Sequence, residues 1–243
     1  MSGIGIYLAE FFGTMILVLL GDGVVANVLL NKSKGQNSGW IVIATGWGFA
    51  VALAVYVTGW VSGAHINPAV TVGLASVGKF SWSLVPGYIT FQMMGGFMGA
   101  VLVYLAYKDH FAATKDPNMI RAVFSTAPQI RNYLSNFITE VIGTAMLLIG
   151  VIGVTNDHNQ IGALGALVIG ILVWSIGLSL GGPTGYAINP ARDLGPRIAH
   201  AILPIPGKGD SDWKYGLTVP IIGPIVGGVI GAVVYQLFLT TWI

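Results

Sequence analysis

The chain has 243 residues, of which 54% are hydrophobic and only 8% are charged, whereas a soluble domain carries about 25% charged residues, so this is a membrane composition. The formal net charge of +2 is too small to indicate a nucleic acid partner. Cysteine is absent, which excludes a disulfide framework, a thiolate metal site and a nucleophilic thiol.

Six stretches are long and apolar enough to cross a lipid bilayer as helices, each of which needs about 20 residues. They lie near residues 4–29, 40–60, 82–107, 133–155, 161–181 and 214–240. The first has no basic segment before it and no small-residue cleavage site, so we expect a retained helix rather than a signal peptide. The sequence thus predicts an all-α membrane protein with a single domain over 1–243.

Glycines recur at helical spacing in two of these stretches. Gly95 and Gly99 lie four residues apart in the third, and Gly223, Gly227 and Gly231 follow the same spacing in the sixth. Small residues four apart allow membrane helices to approach closely, because lipid supplies no hydrophobic force between them. We therefore expect a tightly packed bundle.

The two halves of the chain share three landmarks in the same order, which indicates an internal duplication. Residues 9–14 are similar to 139–144, residues 62–69 to 184–191, and residues 95–101 to 227–233. Because each half contains three spans, the second half starts on the opposite side of the membrane. We expect inverted repeats at about 1–118 and 133–243, linked by a loop at about 108–132, with a functional site near the bilayer midplane.

One landmark contains an Asn-Pro-Ala motif in each half, at Asn67-Pro68-Ala69 and at Asn189-Pro190-Ala191. Asparagine is a strong helix N-cap and proline suits the first helical position, so each motif begins a helix. A single copy would indicate only a cap, but two copies in an inverted repeat favour re-entrant half-helices that meet end to end. Their Asn amides can then donate into a pore, and their positive helix ends oppose cations and protons.

The segments before the motifs must re-enter the membrane without being helical, which is tolerated only against protein or a water-filled cavity. We expect passing hydroxyls to bind a series of carbonyl groups, those of Gly63, Ala64, His65, Tyr186 and Ala187. Glu10 and Glu140 occupy equivalent places, and we interpret them as buttresses that accept hydrogen bonds from the loop N–H groups. With Asp22, they are also the candidate ion sites of a secondary active transporter, an alternative from another class.

Arg192 follows the second motif, where the helix dipole disfavours a cation, while Val70 follows the first. An intramembrane arginine costs about 2.5–3.5 kcal/mol on insertion scales, which favours a functional role over a purely structural ion pair. We interpret Arg192 as a donor in the narrowest constriction and as a barrier to cations. Ser62 and His65 lack the acidic partner and the nucleophile motif of a catalytic triad, so no enzymatic activity is predicted. No metal or cofactor is predicted either.

Together these motifs resemble the aquaporin or major intrinsic protein family over essentially the whole chain. Residues 62–71 resemble its first pore loop and residues 185–197 its second. Asp193 and Arg197, together with Pro220 in the last span, resemble the glycerol facilitator, or aquaglyceroporin, branch. The resemblance implies a selectivity constriction at Trp47, Gly177, Tyr186 and Arg192.

The resemblance also implies a passive channel for glycerol. The alternative within the family is a water-selective channel. Gly177 argues against it, because water-selective members typically carry histidine there and glycine leaves room for a carbon backbone. Tyr186 stands where phenylalanine is usual, and its hydroxyl could extend the range to urea, dihydroxyacetone, hydrogen peroxide or undissociated lactic acid. A homotetramer in the plasma membrane with cytoplasmic termini is implied, although that side carries only Lys79 in its loops and the positive-inside rule favours the reverse.

Overall fold

A computed structural model describes residues 3–159 and 161–239. Within them the chain is helical, with no strand. The helices are α1 Gly3–Leu29, α2 Trp40–Ser62, α3 Pro68–Ser76, α4 Val85–Ala106, α5 Lys108–Ala113, α6 Pro117–Phe124, α7 Tyr133–Val154, α8 Gly165–Leu180, α9 Pro190–Ile202, α10 Trp213–Gly216 and α11 Val219–Leu239. The predicted domain 1–243 and the predicted sixth span 214–240 also include residues outside these ranges.

Six helical segments of the described residues are long and apolar enough to cross a membrane, which confirms the six predicted spans. Five correspond to α1, α2, α4, α7 and α8, the last extended by a short 3-10 turn at Gly162–Leu164. The sixth is divided into α10 and α11. Pro220, at the second position of α11, lacks an N–H and restricts the preceding turn, so a new helix begins there.

Two further helices, α3 and α9, are too short to span the bilayer alone. They contain 9 and 13 residues, or about 14 Å and 20 Å at 1.5 Å per residue. Both begin at the proline of an Asn-Pro-Ala motif, and their N-termini meet, because each capping asparagine donates to the loop of the other motif over 2.8 Å. Placed end to end they cover a hydrocarbon core of about 30 Å and act as one additional crossing.

Equivalent helix pairs pack closely in the two halves of the chain. A Cβ atom at Gly95 of α4 would lie 2.3 Å from the carbonyl oxygen of Phe11, and one at Gly227 of α11 would lie 2.4 Å from that of Val141. Only glycine allows these backbones to come so close. The α1–α4 and α7–α11 pairs therefore have matching contacts, which the glycine spacing predicts.

Each half-helix is seated on a glycine from the opposite half of the chain. A Cβ at Gly96 of α4 would lie 2.5 Å from the carbonyl oxygen of Ala191, and one at Gly228 of α11 would lie 2.6 Å from that of Ala69. These contacts fix the first turn of each half-helix relative to the outer helices. The position of the two motifs thus depends on both repeats at once.

We expect Gly96→Ala to lower the melting temperature of the purified protein, because the added Cβ would collide with a backbone oxygen of α9. Overpacking of this kind costs about 1–3 kcal/mol. Gly23→Ala is the matched control, since its Cβ would meet no atom within 4 Å and alanine is the better helix former. Equal melting temperatures of the two variants in detergent would contradict the proposed seat.

Candidate functional site: a pore between the two half-helices

The two motif asparagines cap the half-helices in the same way. Asn67 and Asn189 have extended backbones, with φ angles of −159° and −154°. The Asn67 Oδ1 accepts a hydrogen bond of 2.8 Å from the Ala69 N–H, and the Asn189 Oδ1 accepts one of 3.0 Å from the Ala191 N–H. Both side-chain oxygens are thus used by the caps, and the amide groups point away from their own helices.

Each asparagine amide also crosses to the loop of the opposite repeat. Asn67 Nδ2 donates to the carbonyl of Ile188, and Asn189 Nδ2 donates to that of Ile66, both over 2.8 Å. An amide has two N–H groups, so one of each remains for another acceptor. Both asparagines border the central cavity. The sequence did not predict this crossed pair, although an isoleucine before both asparagines was its signal.

The loops before the motifs have an unusual backbone that recurs in both halves. The φ angles are positive at Ala64, Ile66, Tyr186 and Ile188, at 46°, 44°, 40° and 43°. Positive φ at a β-branched isoleucine is a genuine outlier, and such residues cost about 1–3 kcal/mol each. Strong local interactions must therefore hold these loops in place.

Glu10 of α1 provides these interactions for the first loop. Its Oε1 accepts hydrogen bonds from the Ser62 hydroxyl at 2.6 Å and the His65 N–H at 3.0 Å. Its Oε2 accepts from the Ile66 N–H and from the Gln92 amide, both at 2.7 Å. The carboxylate is fully buried and satisfies the two loop N–H groups closest to Asn67.

Glu140 of α7 makes the equivalent contacts with the second loop. Its Oε1 accepts from the Thr184 hydroxyl at 2.6 Å and from the Ala187 N–H at 2.9 Å. Its Oε2 accepts from the Ile188 N–H at 2.8 Å. In both repeats, the loop N–H groups that face a glutamate therefore already have an acceptor.

The carbonyl groups of the same loops remain available. None of the described residues donates a hydrogen bond to five of them, which belong to Gly63, Ala64, His65, Tyr186 and Ala187. All five residues border a cavity of about 400 Å³ between the two repeats. The His65 ring instead packs at 4.5 Å from Phe80, with Nδ1 3.2 Å from the Thr71 hydroxyl.

The cavity is lined by two chemically different sets of groups. The polar set comprises the loop carbonyls, the two motif asparagines and Arg192. The aliphatic set consists of Leu17, Val51, Val55, Val70, Leu74, Leu147, Val151, Ile169 and Val173. The lining also includes Lys79, which follows the end of α3, and Thr155, which caps α7. A molecule that carries both hydroxyl and CH groups fits such a lining.

Three of the four predicted constriction residues meet at this cavity. Trp47, Tyr186 and Arg192 border it and are all at least nine-tenths buried. The guanidinium carbon of Arg192 lies 4.1 Å from the centre of the Trp47 ring, a cation–π contact. The Trp47 Nε1, the Tyr186 hydroxyl and the Arg192 Nη1 have no hydrogen-bond partner among the described residues.

Gly177, the fourth predicted constriction residue, lies behind Tyr186 and does not border the cavity itself. A Cβ at Gly177 would lie 2.7 Å from the Tyr186 Cζ, so the absence of a side chain provides the space for the tyrosine ring. The Trp40 indole adds to this support, because its Nε1 donates to the Gly177 carbonyl at 2.9 Å. Gly177 thus contacts the cavity lining only through the Tyr186 ring.

The second loop is also tied to the long connection between α4 and α7. The Asp193 Oδ2 accepts from the N–H and the hydroxyl of Thr126, both at 2.7 Å. Arg197 is fully buried and donates from Nε to Asp193 Oδ1 at 2.8 Å and from Nη2 to the Thr126 carbonyl at 3.0 Å. The i, i+4 spacing of the two charges was the sequence signal for this pair.

A second tie joins the end of the same connection to the segment that precedes α10. Arg131 donates two hydrogen bonds to Asp212, at 3.1 Å and 2.5 Å. These bonds raise the pKa of Arg131. The long connection is thus held over one end of the second repeat by a buried and an exposed ion pair.

Six membrane spans and two half-helices that meet beside a cavity lined by both repeats define a membrane channel. The sequence profile of the family described as major intrinsic protein matches residues 2–235. The chain belongs to this family, and residues of its two Asn-Pro-Ala loops border the cavity.

Known proteins similar to this chain have related names. It is 66% identical to the "Probable glycerol uptake facilitator protein" of Thermotoga maritima, over 90% of this chain and 93% of the relative. It is 44% identical to the "D/L-lactic acid transporter" of Lactiplantibacillus plantarum, over 89% of this chain and 90% of that protein. The crystal structure of the aquaglyceroporin from Plasmodium falciparum matches with a TM-score of 0.88 at 31% identity, over 99% of this chain and 98% of that one.

We expect Glu140→Gln to destabilise the second loop. Whichever carboxylate oxygen becomes an NH₂ group, at least one loop N–H would face a donor, at a cost of about 1–3 kcal/mol. The melting temperature in detergent and the water flux in proteoliposomes should both decrease. Thr139→Val is the control, because the Thr139 hydroxyl bonds only to its own helix, at the Ser135 carbonyl. A loss of the same size in Thr139→Val would contradict the role of the carboxylate.

Proposed function

We propose that this protein is a passive channel through which glycerol and other small uncharged polar solutes diffuse, with some water and without ions or protons. The observation that carries the proposal is a cavity that is lined both by unpaired carbonyls with Arg192 and by aliphatic side chains. Glycerol likewise combines hydroxyl groups with CH groups. The names of the glycerol facilitator relative and the aquaglyceroporin structure support this assignment.

The polar lining replaces the water that a solute loses on entry. Solute hydroxyls donate to the loop carbonyls and accept from the free N–H groups of Asn67, Asn189 and Arg192, while the CH groups contact Trp47 and the aliphatic lining. Successive weak sites of this kind allow entry without trapping the solute. No group on this path changes its bonding or its oxidation state, so the passage is not catalysis.

Ion exclusion follows from the same parts. The N-termini of α3 and α9 each contribute about half a positive charge at the point where they meet. A water molecule there accepts from both asparagine amides, so its own hydrogens point away from its neighbours along the file. Proton hopping is interrupted there, and cations are repelled by the helix ends and Arg192.

The two alternatives account less well for the same observations. A secondary active transporter needs a coupling-ion site, yet the Glu10 and Glu140 oxygens already accept hydrogen bonds from loop donors. Among the described residues no group of three or more His, Asp or Glu could hold a metal ion. A water-selective channel would need a smaller constriction than one in which residue 177 is glycine.

We further propose that the solute range includes undissociated lactic acid, urea, dihydroxyacetone and hydrogen peroxide. The Tyr186 hydroxyl supports this, because it has no described partner at the constriction and can bond to a carbonyl or hydroxyl oxygen. The lactic acid transporter of L. plantarum is a relative of this chain over most of its length.

We also propose a homotetramer in the plasma membrane with cytoplasmic termini, in which each subunit has its own pore. The support for assembly is an apolar strip along α2, where Phe49, Leu53, Tyr56 and Trp60 are 50–75% exposed. Large aromatic and aliphatic side chains pack favourably against lipid or against a second subunit. The proposed orientation rests on family resemblance. We give this resemblance more weight than the loop charges, because the positive-inside rule is statistical.

The central test is stopped-flow light scattering of proteoliposomes mixed with hyperosmotic glycerol. We expect fast shrinkage by water loss followed by reswelling as glycerol enters, at a rate well above that of empty liposomes. A parallel run with a pH dye inside the vesicles should give no proton current. Water flux without glycerol entry would contradict the assignment, and a proton current would contradict the mechanism. Lactic acid supplied below and above its acid pKa tests the wider solute range.

We expect Gly177→His to reduce glycerol flux by about tenfold or more, and water flux far less. The new side chain would displace Tyr186 into the passage, where a three-carbon solute needs more width than water. Gly182→His is the matched control, because a Cβ at Gly182 would meet no atom within 4 Å. Equal losses of water and glycerol flux in Gly177→His would mean that residue 177 does not control the constriction.

A further inference from the structure

We propose that Asp22, on α1, is a positioning residue that holds the Arg192 guanidinium back from the passage and so determines how wide a solute can cross the constriction. This inference rests on the proposed glycerol channel and adds a specificity residue to it. Asp22 is not repeated in the second half of the chain, where the equivalent position is occupied by an apolar residue, Ile152. A duplication therefore does not account for a carboxylate at this depth.

The immediate surroundings of Asp22 leave it one charged partner within ion-pair distance. The side chain is completely buried, and neither carboxylate oxygen has a hydrogen-bond partner among the described residues. Its Oδ1 lies 3.8 Å from the Arg192 Nη1, which also lacks a hydrogen-bond partner. A buried carboxylate with no partner is costly, so the unused donor that faces it is its natural counterion.

The rest of the constriction is built around the same segment of α1. A Cβ at Gly21 would lie 2.2 Å from the Trp47 ring, so this glycine allows the indole to lie against the helix. Trp47 in turn stacks on the Arg192 guanidinium at 4.1 Å. Gly21 and Asp22 thus form the back of the constriction, one by its lack of a side chain and the other by its charge.

The 3.8 Å gap between the two groups is significant. A charge-assisted N–H···O bond is about 2.7–2.9 Å long, so the guanidinium is attracted toward α1 without being locked there. Arg192 borders the cavity, and none of the described residues accepts from its remaining N–H groups, so they stay available to solute hydroxyls. Asp22 and the passing solute therefore pull the guanidinium in opposite directions.

Without the carboxylate, Arg192 would be a buried cation with no counterion. Its charge would be solvated better by water in the cavity that it borders, so the guanidinium would move toward the passage and narrow it. Water would still pass, whereas a three-carbon polyol would meet a tighter constriction. The ratio of glycerol to water permeability is thus the property that Asp22 controls.

The first test compares wild type, Asp22→Asn and Thr14→Val in proteoliposomes by stopped flow. We expect Asp22→Asn to lower the glycerol-to-water permeability ratio about tenfold, which corresponds to about 1.4 kcal/mol at the barrier. Thr14→Val is a control on the same helix, because the buried Thr14 hydroxyl bonds only to the Glu10 carbonyl one turn earlier. If the wild type conducts glycerol and Asp22→Asn has an unchanged glycerol-to-water permeability ratio, the role of Asp22 is refuted while the proposed glycerol channel stands.

The second test measures melting in detergent and does not depend on any solute. Arg192→Leu leaves Asp22 as an uncompensated buried charge and should melt well below wild type. Adding Asp22→Asn to Arg192→Leu should restore much of that loss, because the unpaired charge is removed. A double variant that melts no higher than Arg192→Leu would show that the two groups are not an ion pair.

The outcomes separate this inference from the proposed function. Absence of glycerol flux in the wild type would refute the glycerol channel, while the melting series would still decide whether Asp22 and Arg192 are paired. A normal wild-type flux with a rescued double variant and a lowered ratio in Asp22→Asn would support both.

Discussion

The constraint on which the structure depends is that a bilayer offers no water to backbone N–H groups. Two loops re-enter the membrane without helical hydrogen bonds, and their backbones pass through positive φ at isoleucine. Glu10 and Glu140 resolve both difficulties, since each carboxylate binds two consecutive loop N–H groups. Because the donors are satisfied from behind, the unpaired carbonyls of the loops face the cavity and form its polar lining.

The two repeats hold each other at the midplane. Each motif asparagine caps its own half-helix and donates to the isoleucine carbonyl of the other loop. Each half-helix also rests on a glycine from the opposite repeat. Neither repeat could form its part of the passage alone, so folding and pore formation are coupled through the same few contacts.

Buried charge near the constriction is arranged in pairs. Asp193 and Arg197 form a fully buried pair that also binds the Thr126 backbone, and Asp22 lies beside Arg192. A charge buried without a partner would cost several kcal/mol. The difference between the pairs is informative: Arg197 uses its donors on the protein, whereas Arg192 keeps donors available to the cavity.

Six spans, two half-helices that begin at Pro68 and Pro190, and the family could all be predicted from the sequence. Hydropathy, glycine spacing and duplicated motifs are local patterns, so they can be read without the tertiary structure. The sequence also identified Trp47, Tyr186 and Arg192, which the tertiary structure brings to one cavity. Only that structure decided that Gly177 lies behind the Tyr186 ring, that the asparagine amides cross between repeats and that Asp22 faces Arg192. Apart from the contact between Gly177 and Tyr186, these contacts join residues from 121 to 170 positions apart in the chain. Their distances depend on how the helices pack rather than on any local pattern.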